Sequence, residues 1–84
     1  MDRLDRMSLF VRIVERGSFS DAAADLGMAR STATEAIKVL EHSLGVRLLE
    51  RTTRHVTPTL DGQEYYQRCL SILGDIEDAE GLFR

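Results

Sequence analysis

Two arginines, Arg51 and Arg54, flank a pair of threonines in the stretch RTTR. Guanidinium and hydroxyl groups that are exposed together are side chains that contact nucleic-acid phosphates. The apolar residues Val46, Leu48 and Val56 frame this stretch with strand-like composition, so the sequence predicts that it forms the tip of a β-hairpin. The alternative is a solvated turn whose charge is incidental.

The remaining reactive side chains of the sequence do not form a recognisable catalytic or metal-binding motif. The sequence contains no nucleophile with an organised base, no glycine-rich phosphate loop and no metal-ligand spacing, so an enzyme is not expected and neither is a cofactor. His42 and His55 lack a matching cysteine or carboxylate cluster, which argues against a metal site. Cys69 is the only cysteine, and such a residue is more often a small buried apolar group than a redox switch.

The charges are distributed unevenly along the chain. The net charge of −3 is unusual for a nucleic-acid-binding domain. However, residues 28–59 hold five basic and three acidic side chains, whereas residues 60–84 hold two basic and six acidic ones. The region around the predicted hairpin is therefore positive, but only modestly, so a lone domain is expected to bind non-specific nucleic acid weakly.

Neither a membrane span nor a signal peptide is predicted. The first sixteen residues contain seven charged side chains, and no apolar run approaches the roughly 20 residues that a membrane helix needs. A chain of 84 residues corresponds to one small domain with a marginal core, for which support from a partner chain is unsurprising. A cytoplasmic location is expected, and the single cysteine fits a reducing compartment.

Three helices are predicted before the hairpin. Gly17 ends the first, the second runs from Ser18 to Leu26 with Asp21 as a capping-box partner, and Gly45 ends the third. Apolar residues recur at spacings of three and four in the first and third helices, and the second has a face of small residues. These positions are Leu4, Met7, Val11 and Val14 with Phe10 and Ile13 beside them, then Ala22, Ala23 and Leu26, then Ala33, Ile37, Leu40 and Leu44.

The connection between the second and third helices is a short turn that contains Gly27, which is typical of a helix-turn-helix. On these residues alone, an ordinary three-helix bundle is an equal alternative. A hairpin directly after the third helix favours a winged helix-turn-helix. The predicted fold is therefore mainly α, with three helices and a two-stranded wing in residues 1–59 and a long linker helix in residues 60–84.

This last helix, which Thr59 would cap, carries two apolar stripes. A helix about 36 Å long exceeds what so small a domain can cover, so we expect one stripe to pack on its own domain and the other against a partner chain. The alternative is that both stripes pack within the chain, and Gly74 and Gly81 weaken the helix in either case. The predicted dimer seam, with coiled-coil spacing, comprises Tyr65, Cys69, Ile72, Ile76, Ala79 and Phe83, and the offset stripe comprises Tyr66, Leu70 and Leu73.

An ordered set of motifs runs through the chain. It comprises Gly17-Ser18-Phe19-Ser20, Ala22-Ala23, Leu26-Gly27, Ile37, Leu40-Glu41, Leu44-Gly45-Val46-Arg47-Leu48-Leu49, Arg51-Thr52-Thr53-Arg54, and Thr59 with Gly62. With these spacings the chain resembles, over essentially its whole length, the N-terminal DNA-binding domain of LysR-type transcriptional regulators. The resemblance implies that the third helix enters the major groove, that a wing arginine reaches the minor groove, and that the last helix forms an antiparallel dimer contact.

The same resemblance implies a set of partners. The expected ligand is double-stranded DNA with an interrupted palindromic operator, bound by a homodimer. Whole members of the family are often tetramers that bend DNA and activate or repress neighbouring promoters. A ligand-sensing domain normally follows the DNA-binding domain, so an effector would bind a C-terminal domain that these residues do not encode.

The start of the third helix departs from the family pattern. The family usually has serine, glutamine and often proline where this chain has Ala29, Arg30 and Ser31. Because Ala29 cannot cap a helix with its side chain, the helix either starts later, with Thr32 and Glu35 as a capping box, or starts here with an uncapped first turn. Glu35 stands where the family often has arginine. Its carboxylate would repel phosphates but can accept from a cytosine amino group, whereas Arg30 can read guanine.

Candidate DNA contacts lie in three places. On the third helix, base readout is expected from Arg30, Thr34 and Glu35, and phosphate contacts from Ser31, Thr32 and Lys38. The alternative there is a solvated face on which Glu35 serves only as a cap. The wing candidates are Arg51, Thr52, Thr53 and Arg54, since a narrow groove attracts cations, although one arginine could instead pair with Glu50. At the start of the second helix, Ser18 and Ser20 are phosphate candidates that capping explains equally well.

Two other functions are weighed against DNA binding by a LysR-type domain. A protein-interaction module would use the winged fold without DNA, and the low net charge favours it. A winged-helix regulator of another family would fold its last helix back instead of dimerising through it. Substitution of Arg51 and Arg54 separates the first case, because only a DNA-binding domain would lose affinity and salt dependence.

Overall fold

The computed structural model describes residues 1–52 and 55–84. In chain order the elements are α1 (Arg3–Arg16), α2 (Phe19–Asp25), α3 (Arg30–Leu44), β1 (Leu49–Arg51), β2 (Val56–Pro58) and α4 (Leu60–Gly81). This arrangement confirms the predicted fold, a winged helix-turn-helix followed by a long helix.

Both ends of α1 are defined by local contacts. At its start, the Asp2 carboxylate accepts a hydrogen bond from the Asp5 backbone N–H at 2.8 Å, and the Asp5 carboxylate accepts from the Asp2 N–H at 3.1 Å. This reciprocal pair is a capping box that satisfies two free donors. At its end, Gly17 has a φ of 65°, a left-handed conformation that glycine adopts without strain.

The core face of α1 differs from the predicted stripe. Leu9, which the periodicity did not include, is fully buried together with Phe10 and Ile13, whereas Leu4 is 41% exposed. Because α1 packs against α2, α3 and α4, it needs a wide apolar face rather than a single stripe. The shared core therefore centres on Phe10 and Ile13.

The second helix begins and ends close to the predicted residues. The Ser18 Oγ accepts from the Asp21 backbone N–H at 3.1 Å, which is one half of the predicted capping box. Ala22 and Ala23 are buried, which allows close helix packing. Leu26, predicted on the same face, is 40% exposed because α2 ends at Asp25 and Leu26 no longer follows the helical face.

The third helix begins at Arg30 with an uncapped first turn. Its N-cap is Ala29, which makes no side-chain hydrogen bond. The alternative of a later start, capped by Thr32 and Glu35, is therefore excluded. Ala33, Ile37 and Leu40 are buried as predicted. Leu44, at the last turn of α3, is exposed instead.

The wing is joined to the helices at two points. β1 and β2 pair antiparallel, with Glu50 opposite Thr57. At the base of β1, the Glu41 carboxylate of α3 accepts from the backbone N–H groups of Leu48 and Leu49 at 2.8 and 3.3 Å. At the other strand, the Val56 N–H donates to the Gly17 carbonyl at 3.2 Å. These bonds tie the sheet to α3 and to the turn between α1 and α2.

The start of α4 lies directly against the wing. The Thr59 Oγ1 accepts from the Gly62 N–H at 2.9 Å and donates to the Arg47 carbonyl at 2.7 Å. Thr59 is therefore the predicted cap, and it also holds the chain before β1. Gly62 is buried, and a Cβ added there would collide with the Leu48 carbonyl group. The helix can approach the strand this closely only because residue 62 is glycine.

The predicted dimer seam on α4 passes through two environments. Cys69, which was assigned to the seam, is fully buried in the core of its own chain, and Tyr65 is half-buried with its ring centroid 5.3 Å from that of Phe10. Further along the same face, Ile72 is 43% exposed and Ile76 is half-buried. The prediction that Phe83 lies on this helix is wrong, because α4 ends at Gly81; Phe83 is 89% exposed. The stripe thus packs on α1 in its first half and is only partly covered in its second.

The two titratable groups of the packed half respond to this burial. Burial raises the pKa of the Tyr65 hydroxyl to about 12. It also raises the pKa of the Cys69 thiol, against the smaller opposing effect of a hydrogen bond from Tyr65. Both groups are therefore held in their protonated forms.

A helix that crosses a bilayer needs roughly 20 predominantly apolar residues. Across residues 1–52 and 55–84, no helix is long and apolar enough to cross a membrane.

Candidate nucleic-acid interface

One open groove lies between the first turns of α3 and the end of β1. It has a volume of about 490 Å³ and is called the recognition groove below. Its lining consists of Arg30, Ser31, Thr34, Glu35 and Arg51. Sequence reasoning assigned all five to DNA binding from two separate segments, and the fold brings these segments together.

The polar groups of the recognition groove are ordered by contacts within α3. The Thr34 Oγ1 donates a hydrogen bond to the Arg30 carbonyl oxygen at 3.0 Å. The Lys38 Nζ lies 3.6 Å from the Glu35 Oε1, and both side chains are largely exposed. An exposed pair of this kind adds about 0.5 kcal/mol or less to stability, so both groups are free to exchange partners.

Thr32 lies on a different face of α3 from Arg30 and Thr34. Together with Glu35, Ala36 and Val39 it lines a shallow, largely apolar groove beside Met1, so Glu35 borders both grooves. A step of two residues from Arg30 rotates a side chain by about 200° around the helix, which explains the separation of Thr32 from Arg30. The structure therefore does not bring Thr32 into the recognition groove.

A second groove of about 170 Å³, the wing groove, lies between the wing and the start of α2. It shares Arg30 and Arg51 with the recognition groove. The remaining lining residues are Gly17, Ser18, Phe19, Ser20, Thr52, His55 and Val56. The two grooves together form a surface with two arginines at its centre.

Arg51 is held in place by an aromatic ring. Its guanidinium carbon lies 4.4 Å from the ring centroid of Phe19, within the range of a cation–π contact. Phe19 is buried at the start of α2, so the ring is a fixed support. A guanidinium oriented in this way keeps its N–H donors available at its edges.

Thr52 closes the turn of the wing. Its Oγ1 donates to the His55 carbonyl at 3.0 Å and accepts from the His55 N–H at 3.1 Å. Its backbone N–H donates to the same carbonyl at 2.8 Å. Thr52 thus holds the shape of the hairpin. The predictions for Thr53 and Arg54 lie outside the described residues.

The serines at the start of α2 have different surroundings. Ser18 is half-buried and is the N-cap of α2, with the contact to Asp21 described above. Ser20 is exposed on the wing groove. The capping explanation for Ser18 is therefore correct, although its hydroxyl proton can still be donated elsewhere.

Three residues that shape this surface were not identified as functional from the sequence. Phe19 supports Arg51, and His55 lines the wing groove. Glu41 fixes the wing on α3 through its two hydrogen bonds. Phe19 and Glu41 both lie in motifs that carried the family resemblance, and this was the only sequence signal for them.

The fold and the site define a winged helix-turn-helix domain whose α3 and wing share one polar surface. The family model described as "bacterial regulatory helix-turn-helix protein, lysR family" matches residues 4–63. The chain belongs to this family.

Curated relatives of the chain are transcriptional regulators. It is 40% identical over 84 residues to the uncharacterised HTH-type transcriptional regulator YhjC of Escherichia coli K12, covering all of this chain and 28% of that protein. It is 45% identical over 76 residues to the HTH-type transcriptional regulator CrgA of Neisseria meningitidis, covering 90% of this chain and 25% of that protein. The chain therefore spans about a quarter of the length of these relatives.

Solved structures with a similar fold include DNA complexes. The BenM DNA-binding domain bound to catB site 1 DNA superimposes with a TM-score of 0.91 at 34% identity, covering 98% of this chain and 90% of that one. The CbnR DNA-binding domain in its DNA complex gives a TM-score of 0.88 at 27% identity, covering 96% of this chain and 92% of that one.

Proposed function

We propose that this chain is a sequence-specific double-stranded DNA-binding domain at the N-terminus of a LysR-type bacterial transcriptional regulator. The observation that carries the proposal is the recognition groove, in which the exposed face of α3 meets Arg51 of the wing. Family membership and the fold shared with DNA-bound domains support it. In this proposal α3 enters the major groove and the wing reaches the adjacent minor groove.

The contacts divide between base readout and phosphate binding. Arg30, Thr34 and Glu35 read base edges, because they point from the first turns of α3 into the recognition groove. Ser31 and Lys38 on the same face bind phosphates. Thr32 lies outside the recognition groove, beside Glu35, and remains a candidate phosphate contact on sequence grounds.

The second group of contacts comes from the wing groove. Arg51 contacts the sugar-phosphate backbone at the edge of the minor groove, supported by Phe19. Ser20, exposed beside it, binds a phosphate, and Ser18 can donate to one while it caps α2. Thr52 acts through the shape of the turn. Arg54 and Thr53 remain candidates for the minor groove on sequence grounds.

A homodimer formed through α4 completes the proposal. The second half of the apolar stripe, in which Ile72 and Ala79 are exposed and Ile76 is half-buried, offers a surface for the same stripe of a second copy. Two copies would place two α3 helices on the half-sites of an interrupted palindrome. In the longer protein we expect a C-terminal domain to bind an effector and the dimers to pair as tetramers, and a regulator of this kind works in the bacterial cytoplasm at the nucleoid.

Fluorescence anisotropy of labelled duplexes, titrated at several salt concentrations, tests this function. The duplexes are random DNA and interrupted palindromes with half-sites about 34 Å or more apart. We expect one palindrome to bind at least about a thousandfold more tightly than random DNA, with a steep salt dependence that Arg51→Ala reduces. If the folded dimer binds no duplex at low salt, the proposal fails and a protein-interaction module becomes the better explanation.

A further inference from the structure

The side chains that α3 presents to the recognition groove differ in which hydrogen bonds they can make. The single hydroxyl proton of Thr34 is donated to the Arg30 carbonyl at 3.0 Å, so only its oxygen lone pairs remain for another partner. An ionised carboxylate such as that of Glu35 also only accepts. The guanidinium of Arg30, in contrast, only donates.

The structure removes the capping explanation for Glu35. A capping role would require α3 to begin near Thr32, whereas α3 begins at Arg30. Glu35 instead lies where the recognition groove meets the apolar groove of Thr32, and it is 3.6 Å from the Lys38 ammonium group. That ammonium group offsets the repulsion between the carboxylate and DNA phosphates, and the exposed pair is weak enough to open.

The edges of DNA bases match these two kinds of group. In the major groove, cytosine N4 and adenine N6 are the amino donors, whereas guanine presents two acceptors, O6 and N7. Acceptors on the protein therefore favour cytosine or adenine, and a guanidinium favours guanine. A carboxylate suits cytosine best, because adenine adds an acceptor, N7, beside its amino group.

We propose that Thr34 and Glu35 make this domain select half-sites with amino groups in the major groove, with cytosine opposite Glu35 and guanine opposite Arg30. This inference rests on the proposed DNA-binding function.

Glu35 is tested by selecting bound duplexes from a randomised library with the 84-residue chain and two variants. Glu35→Gln gives a side chain that pairs with adenine N6 and N7, so the preferred base at one position of each half-site changes from cytosine to adenine. The ratio of affinities for duplexes that differ only there should change about tenfold, as measured by anisotropy. Glu35→Ala should remove the preference at this position and leave the others in place.

Thr34 is tested by a pair of variants of similar size. Thr34→Val removes the oxygen and should lose the preference for an amino-bearing base at its own position, whereas Thr34→Ser keeps the acceptor and the preference. Glu50→Gln is the matched control for charge, because Glu50 is an exposed carboxylate on β1 that does not line the recognition groove. It should leave every preferred base unchanged.

The outcomes separate this inference from the function on which it rests. If the wild-type chain enriches one half-site and both Glu35 variants enrich the same bases at every position, the assignment of Glu35 is overturned while DNA recognition stands. If the folded wild-type chain enriches no sequence, the proposed function fails and this inference fails with it. A change of the preferred base from cytosine to adenine in Glu35→Gln supports both.

Discussion

The two halves of α4 have the same apolar periodicity and opposite surroundings. In the first half, Gly62 and Cys69 are buried and Tyr65 packs on Phe10. In the second half, Ile72 and Ile76 continue the same face, but Ile72 is exposed and Ile76 is only half-buried. The difference shows that periodicity identifies a face that will be covered without identifying what covers it. One stripe can belong partly to its own fold and partly to a partner.

The two halves of α4 should differ most in how a glycine-to-alanine substitution changes the free energy of unfolding. Gly62→Ala places a Cβ against the Leu48 carbonyl group, so it should lower the free energy of unfolding by about 3 kcal/mol. Gly74→Ala meets no atom within 4 Å among the described residues and should raise it by about 0.5–1 kcal/mol. Urea unfolding followed by circular dichroism measures both. Equal midpoints for the two variants would refute the close approach at Gly62.

A charge on the exposed part of the stripe is expected to affect the dimer more than the fold. Ile72→Asp puts a carboxylate on the proposed dimer surface and should raise the dimer dissociation constant at least about tenfold, because burying an unpaired charge is costly. Gln67→Asp adds the same charge on the opposite, exposed face of α4 and is the control. Sedimentation equilibrium measures the constants. A wild-type chain that stays monomeric at all concentrations would contradict the dimer proposal.

The smallest effect is expected from the Tyr65 hydroxyl in the packed half. Its pKa is raised to about 12 by burial, above the ordinary value of 10.0. The unfolded chain therefore loses this proton at lower pH than the folded chain, and the resulting stability is complete below pH 10 and lost as the pH rises toward 12.

Tyr65→Phe should therefore lose less stability between about pH 8 and about pH 11 than the wild type does. Urea midpoints at the two pH values provide the measurement. Cys69, whose pKa is also raised by burial, contributes in the same direction and loses its hydrogen bond from Tyr65 in the variant, so both proteins carry Cys69→Ala in this comparison. Identical losses in the two proteins would show that Tyr65 is not shielded from water.

The helices and most of their ends were predicted correctly from the sequence, because local chemistry determines them. Gly17, Ser18, Gly45 and Thr59 act as predicted, since a left-handed residue or a capping hydroxyl depends mainly on its neighbours in the chain. The wing was predicted from its strand-like residues and basic turn, but Arg51, predicted at the tip, lies in β1 opposite Val56. The burial of Leu9 and the exposure of Leu4 were not predicted, because they depend on three helices that meet α1 from different directions.

The candidate site was predicted in composition but not in arrangement. Arg30, Thr34, Glu35 and Arg51 were identified from residue type and from the family resemblance, and they line one groove. That Thr52 closes the turn and that Phe19 supports Arg51 could not be derived from spacing. The contact of Phe19 with Arg51 joins two distant segments, and the bonds of Thr52 to His55 depend on the conformation of one turn, and periodicity encodes neither.

The two hydrogen bonds of Glu41 bear on how such domains diverge. Ile37, Leu40 and Glu41 fix the middle and the end of α3 to the core and the wing, whereas the side chains that would read DNA project from its first two turns. Substitutions at the exposed positions of those first turns can therefore accumulate with little loss of stability, so that gene duplicates can acquire new operators while the scaffold stays constant. The departure from the family at the start of α3 is an example of the change that this separation permits.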